Sequence, residues 1–235
     1  MSQNQIVKKN DFVEIKFTGY ANNEIFDSNV EEDLRKIHPK AKPDKIVIVI
    51  GQKMLVPGLD NQLEGKEIGK EYEIHIPAKE GFGFRDRNLI RTIPLAALTE
   101  QKVMPQAGMV FTLDNSLVKI IAVSGARVTA DFNNPLASKD LMYKISMTKV
   151  VTDDKEKAET MLKLFLRFIP EFEVKENNVI VKGPKIFEVP INLYKEKFKE
   201  LMNKDLLFEE KEERLKHDKK GDEQIKESED ERIKA

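Results

Sequence analysis

No cluster in this 235-residue chain has the look of a covalent catalytic site. Cysteine is absent, which removes thiol catalysis, disulfides and thiolate-ligated metals from consideration. The three histidines, His38, His75 and His217, are scattered along the sequence. The Asp and Glu residues fall in runs mixed with Lys and Arg, the pattern of solvated faces. No metal site and no cofactor is expected. What stands out are short segments that set an aromatic residue beside glycine or beside a single acid. These are Phe17-Thr18-Gly19, Phe26-Asp27-Ser28 and Gly81-Phe82-Gly83, with Met54-Leu55-Val56-Pro57-Gly58-Leu59 as an apolar companion.

The whole-chain balance narrows the possibilities further. Lys plus Arg number 40 against 41 Asp plus Glu, a net charge of −1, so no global basic field attracts nucleic acid. The longest apolar run is Ile46 to Ile50, far below the roughly 20 residues of a membrane span. The first ten residues lack the apolar core of a secretory signal. A cytoplasmic protein is expected, with no nucleic-acid or membrane partner.

The elements that must carry these segments are legible from their periodicity. Residues 12–17 alternate as a strand, with Val13, Ile15 and Phe17 on one face. Residues 21–44 read as a polar loop with at most a helical turn. Lys45 to Ile50 reads as a well-buried strand. Val56 to Gly65 reads as a short helix, with Pro57 in its first turn, Leu59 and Leu63 on one face and Gly65 at its end. Residues 71–76 and 143–148 alternate as strands. Between them lie too many residues for a loop, with strand candidates at 109–113, 117–123 and 126–132, so a small inserted domain is expected.

After Val151 the texture becomes α+β. Asp153 or Asp154 can cap a helix carrying Met161, Phe165, Phe168 and Ile169 and ending at Pro170. A hairpin is expected over 172–182, turning at Asn177-Asn178 because Asn tolerates positive φ. Pro190 opens a second helix with Leu193, Tyr194, Phe198, Leu201 and Met202. From Glu209 to Arg232, 18 of 24 residues are charged, so this tail is either a solvated helix or disordered.

The order and spacing of the aromatic segments resemble the FKBP-type peptidyl-prolyl isomerases. Asn133-Asn134-Pro135-Leu136-Ala137-Ser138-Lys139 resembles the segment before the last strand in the SlyD subfamily, and the insertion falls where that subfamily carries its insert-in-flap domain. The whole plan resembles the long archaeal FKBP chaperones, with their C-terminal dimerising domain. The resemblance implies an α+β fold: an antiparallel sheet wrapped on a short helix, an inserted β-rich flap domain and a C-terminal α+β domain. The implied boundaries are 1–84 with 131–152 for the discontinuous isomerase domain, 85–130 for the insert and 153–235 for the C-terminal domain.

It also implies roles. Phe17, Phe26, Leu55, Val56, Leu59, Phe82, Leu136 and Tyr143 would build a proline pocket, with Asp27 as its polar residue and the Val56 amide anchoring the substrate chain. Peptide-bond rotation faces a barrier of about 18–20 kcal/mol because amide resonance is lost on the way. A dry pocket that binds the twisted amide better than the planar one suffices to speed it. The sequence departs from the family at three places: Leu59 replaces a common Trp, Phe17 and Phe82 replace Tyr, and Asn134 replaces a common His. Met104, Met109, Phe111, Leu113 and Leu117 of the insert either hold unfolded, proline-containing polypeptide or form the insert's own core. The implied assembly is a homodimer through the C-terminal domain. Two other functions remain open on the sequence: a pure holding chaperone without catalysis, and an adaptor whose C-terminal domain docks on the ribosome or another assembly.

Overall fold

The strand that begins at residue 12 does not stop at residue 17; it runs on through Thr18 and Gly19, both buried, to Ala21. The computed structural model describes residues 5–113 and 116–211; His217 and most of the charged tail lie outside them. Strand β1 (Phe12–Ala21) is the hub of a five-stranded antiparallel sheet. It pairs with β2 (Glu24–Ser28), with β3 (Ile46–Val49) and with β9 (Leu141–Val150), and β9 pairs in turn with β4 (Glu71–Ile76). Strand β2 and the helix α1 (Glu31–Ile37) occupy part of the stretch read as loop. Their polar sequence conceals a strand that needs only Phe26 and Ser28 turned inward. Strand β3 is also less buried than expected, since only Ile48 and Val49 of its four residues are enclosed.

Helix α2 (Pro57–Leu63) lies against the concave face, with Leu59 and Leu63 buried among Ile15, Ile74, Ile76, Ile145 and Met147. It ends at Glu64, which turns extended with ψ 136; Gly65 follows at φ +83, a left-handed conformation that glycine takes without a Cβ penalty, and its amide donates to the Val7 carbonyl at 2.9 Å instead of capping the helix. A sheet wrapped on one short helix is the architecture expected of this region.

Polar side chains lock β1 to the chain that follows β2. Asn29, buried at 7 % exposure, accepts from the Phe17 amide through Oδ1 at 2.7 Å and donates from Nδ2 to the Ile15 carbonyl at 2.8 Å. The Thr18 hydroxyl meets Ser28 Oγ at 2.9 Å and donates to Asp33 on α1 at 2.8 Å.

A second, four-stranded antiparallel sheet interrupts the first. Its strands are β5 (Ile90–Pro94), β6 (Val110–Leu113), β7 (Ser116–Ser124) and β8 (Arg127–Asp131), in the order β5-β8-β7-β6. Helix α3 (Leu95–Thr99) closes it over a core of Leu98, Val118, Ile120, Val128 and Ala130. Three of these strands follow the sequence reading within one or two residues. Strand β5 and α3 lie outside the sequence expectation; Ile90 and Ile93 are the strand's only large apolar residues and Pro94 closes it.

The outgoing and returning chains are clamped together at Asp131. Its carboxylate accepts from the Asn133 amide and from Asn133 Nδ2, at 3.0 and 2.7 Å, and pairs with Arg85. Burial works to raise this carboxyl, but the Asn133 hydrogen bonds and the Arg85 charge outweigh it and hold it below the usual carboxylate range.

Residues Met1–Asp153 and Asp154–Ala235 form two compact units. The second contains α4 (Asp154–Leu166), β10 (Glu171–Val174), β11 (Asn178–Gly183), α5 (Glu188–Leu193), α6 (Lys195–Met202) and β12 (Asp205–Glu210). Four sequence expectations are corrected here. Helix α4 stops at Leu166 rather than at Pro170, because Arg167 takes φ +67; Phe168 and Ile169 fall outside it and are exposed. The hairpin forms, but neither Asn177 nor Asn178 has positive φ; the turn is closed by the Lys175 amide donating to the Asn178 carbonyl at 2.7 Å. The helix expected from Pro190 is split at Tyr194 into α5 and α6. The charged stretch from Glu209 begins inside β12, which pairs in parallel with β11. Its core is Ala158, Met161, Leu162, Val179, Val181, Ile191, Phe198, Met202 and Leu206.

Replacing Asn29 with Ala strands the buried Phe17 amide and Ile15 carbonyl. The expected loss is about 2–4 kcal/mol in the unfolding free energy of the first unit, read by denaturant titration. A loss below about 0.5 kcal/mol would show that water replaces the side chain.

Candidate functional site

The site is built where β1 and β9 run side by side. Their register sets Gly19 opposite Tyr143 and Phe17 opposite Ile145, while Tyr143 faces Ile74 on β4. Phe17 and Tyr143 are buried, with ring centroids 6.1 Å apart and tilted by 50°. Phe26 arrives from β2 and meets Tyr143 edge-on at 5.8 Å and Phe82 edge-on at 6.4 Å, the geometry favoured by the ring quadrupoles. Gly19 makes room for that ring: a Cβ there would sit 2.6 Å from Phe26 Cζ.

These rings surround an apolar cavity of about 350 Å³, near the lower end of the ~300–1,000 Å³ range of ligand pockets. Phe17, Phe26 and Tyr143 line one side of it, and Phe82 closes it from the loop after β4. Met54, Leu55 and Val56 supply the loop wall and Leu59 the floor from α2. Asp27 is the one charged lining residue and is exposed. Eight of the nine site residues expected from the sequence thus meet at one cavity. Leu136 does not line it; it packs half-buried against the core beneath. Met54 lines it unforeseen. The signal was its place in the quoted 51–59 segment, and its sulfur accepts from the Val49 amide at 3.1 Å.

The loop wall is held by a buried acid. Asp60, on α2 and 4 % exposed, accepts from the Gly51 amide through Oδ1 at 3.2 Å and from the Lys53 amide through Oδ2 at 3.0 Å. Beyond it the Val56 carbonyl accepts from the Leu59 and Asp60 amides at 2.9 and 3.0 Å, while the Val56 N–H has no acceptor among the described residues. Burial, and after it the negative charge of Asp27, push the Tyr143 phenol up to about 12. It therefore stays a neutral hydrogen-bond donor throughout the physiological range.

The five insert residues separate into two groups. Met104 and Leu117 are exposed, at 74 % and 51 %. Met109, Phe111 and Leu113 are half-buried against the insert core. Val110, Ile121 and Val123 are exposed as well and were not anticipated. The clue was that both faces of β7 are apolar: Val118 and Ile120 turn inward while Leu117 and Ile121 turn out. A wider cleft of about 650 Å³ is lined by Val110, Leu117 and Ile121 of this sheet together with Arg85, Lys119 and Pro135. Among the described residues, no group of three or more His, Cys, Asp or Glu side chains is placed to hold a metal ion, and no helix is long and apolar enough to cross a membrane.

Comparison with known sequences gives two family matches: FKBP-type peptidyl-prolyl cis-trans isomerase over residues 3–113, and the IF domain of FKBP26 over residues 91–136. The first match runs into the inserted sheet and ends before β9, which completes the sheet of β1. A short-type peptidyl-prolyl cis-trans isomerase of Methanocaldococcus jannaschii is 30% identical over 154 residues, which cover 64% of this chain and 98% of that protein. The SlyD isomerase of Yersinia pestis is 33% identical over 104 residues, 43% of this chain and 53% of that protein. Its counterpart in Escherichia coli K12 is 28% identical over a stretch of the same length. The chain therefore spans about half the length of these two SlyD relatives.

Asp60→Ala is expected to free the loop that carries Met54 to Val56. Amide hydrogen exchange at Gly51 and Lys53 should accelerate by about tenfold or more while β7 stays protected. Unchanged exchange at both amides would show that the loop is held by its apolar contacts alone.

Proposed function

The chain belongs to the FKBP-type peptidyl-prolyl cis-trans isomerases, and from that premise we propose that it turns X–Pro bonds in the aromatic cavity while holding unfolded polypeptide on its inserted sheet. The observation that carries this reading is the convergence of Phe17, Phe26, Val56, Leu59, Phe82 and Tyr143 on one apolar hollow with Asp27 at its edge. The planar amide is stabilised by resonance that favours water around its polarised carbonyl. As the bond twists, that polarity falls, so a dry aromatic wall favours the twisted state over the planar one. Such differential binding is the whole of the catalysis, and no nucleophile is required. The unpaired Val56 N–H suits an anchoring carbonyl of the substrate chain.

The holding surface is the outer side of the inserted sheet. Met104, Leu117, Val110 and Ile121 are exposed apolar residues, and an adaptable surface of this kind suits varied clients. A client bound there raises the local concentration of its prolines at the cavity. The bare phenyl rings of Phe17 and Phe82 favour a second reading, a holding chaperone with little catalysis. We also propose self-association through the second unit, where Ile186, Val189 and Leu193 are 73–77 % exposed, since large apolar side chains clustered in sequence on a surface mark an interface.

Proline-limited refolding, measured beside turnover of a short proline peptide, separates these roles. Phe82→Ala should lower kcat/KM by about tenfold or more in both assays. The pair Met104→Ser and Leu117→Ser should slow refolding catalysis while leaving peptide turnover within about twofold. A wild-type chain that accelerates neither assay would leave the holding chaperone as the correct reading.

Self-association is read by light scattering on the full chain. The wild type is expected to be a dimer, and Val189→Asp with Leu193→Asp a monomer. A monomeric wild type at tens of micromolar would reject this interface.

A further inference from the structure

Tyr143 has a feature that an apolar wall residue does not require. Its ring is enclosed by Phe17 and Phe26, and the residue is only 6 % exposed. Buried tyrosines ordinarily give their hydroxyl a hydrogen-bond partner. This hydroxyl has none among the described residues. Nor is its oxygen sealed away, because it is not among the enclosed, unsatisfied side-chain oxygens. An oxygen that is neither bonded nor enclosed, on a residue lining the cavity, is free to take a partner.

The surroundings make the hydroxyl distinctive. Of the described side chains around the cavity, Phe17, Phe26, Leu59 and Phe82 carry no polar hydrogen, and Asp27 accepts rather than donates. Tyr143 is thus the one side-chain donor at the site. Its neighbour Phe17 stands across the β1–β9 ladder with a bare ring.

The chemistry of the turning bond supplies an acceptor that exists only in transit. In the planar amide the prolyl nitrogen shares its lone pair with the carbonyl and accepts no hydrogen bond. As the bond twists, resonance is lost and the nitrogen becomes amine-like, with a localised lone pair. A donor that meets this lone pair binds the twisted state and not the planar one, which is the condition for raising kcat.

Resting on the isomerase reading above, we propose that the Tyr143 hydroxyl donates a hydrogen bond to the prolyl nitrogen of the bound peptide as the amide twists. The hydroxyl is left without a partner in the free protein so that the transition state supplies one. A donor held in a dry cavity needs no reorganisation when the acceptor appears. The raised phenol, at about 12, keeps the proton in place.

Tyr143→Phe in the full chain tests this, because it removes one oxygen and keeps the ring. A short proline peptide is followed by NMR exchange, which gives kcat and peptide affinity separately. The expected result is a fall in kcat of about three- to tenfold, the range of one hydrogen bond, with affinity for the planar peptide changed less than about twofold. The Tm should stay level or rise, since an unpartnered hydroxyl contributes nothing to the fold. An unchanged kcat, a loss confined to affinity, or a lowered Tm accompanying the loss would each overturn the proposal. Phe82→Ala is run in parallel. If it lowers turnover while Tyr143→Phe does not, only this inference fails; if it too has no effect, the cavity is not the site and both readings fall.

Discussion

The ladder between β1 and β9 is the constraint on which the rest of the molecule depends. It joins two strands separated by the whole inserted sheet, and it sets Gly19 beside Tyr143 and Phe17 beside Ile145. Closing so long a loop costs entropy that grows only slowly with its length, so an insert of any size is tolerated once the ladder's own contacts are strong. They are strong because Val13, Ile15, Phe17, Ile145 and Met147 bury their side chains together under α2. The insert in turn brings its own core of Leu98, Val118, Ile120 and Val128 and draws nothing from the ladder's.

The cavity follows from what the ladder cannot fill. A sheet curved over a helix leaves a gap at the edge of their contact, and here the gap is rimmed by rings that meet edge to face instead of stacking flat. Such packing holds the walls apart without polar groups. Two small devices maintain it: Gly19, which has no Cβ to push Phe26 inward, and Asp60, which ties down the loop bearing Met54, Leu55 and Val56. Neither touches a ligand space directly, yet both determine its shape.

The clamp at Asp131 ties together the two chain segments that join the sheets of the first unit. Arg85 on the outgoing chain and Asn133 on the returning chain both bind the same carboxylate. A charged group so nearly buried, at 6 % exposure, is stable only with such partners. The second unit solves a different problem: β12 joins β11 in parallel, which requires a crossover, and the chain uses α5 and α6 for it.

The sequence by itself determined the elements whose side chains alternate or repeat with one face buried: β1, β4, β9, α2 and most of the inserted sheet. Its resemblance to a known family, and not its periodicity, implied which aromatic residues would meet at a pocket. The period of a half-buried strand is a local property. What only the tertiary structure decided is everything that depends on a partner distant in the chain. Strand β2 looks like polar loop until β1 supplies its ladder, and the start of the charged stretch at Glu209 looks like tail until β11 pairs with it. Leu136 looks like pocket lining, yet the fold packs it half-buried against the core outside the cavity. The unpartnered hydroxyl of Tyr143 is invisible in a list of residues, because whether a donor finds an acceptor depends on distances that no sequence spacing fixes.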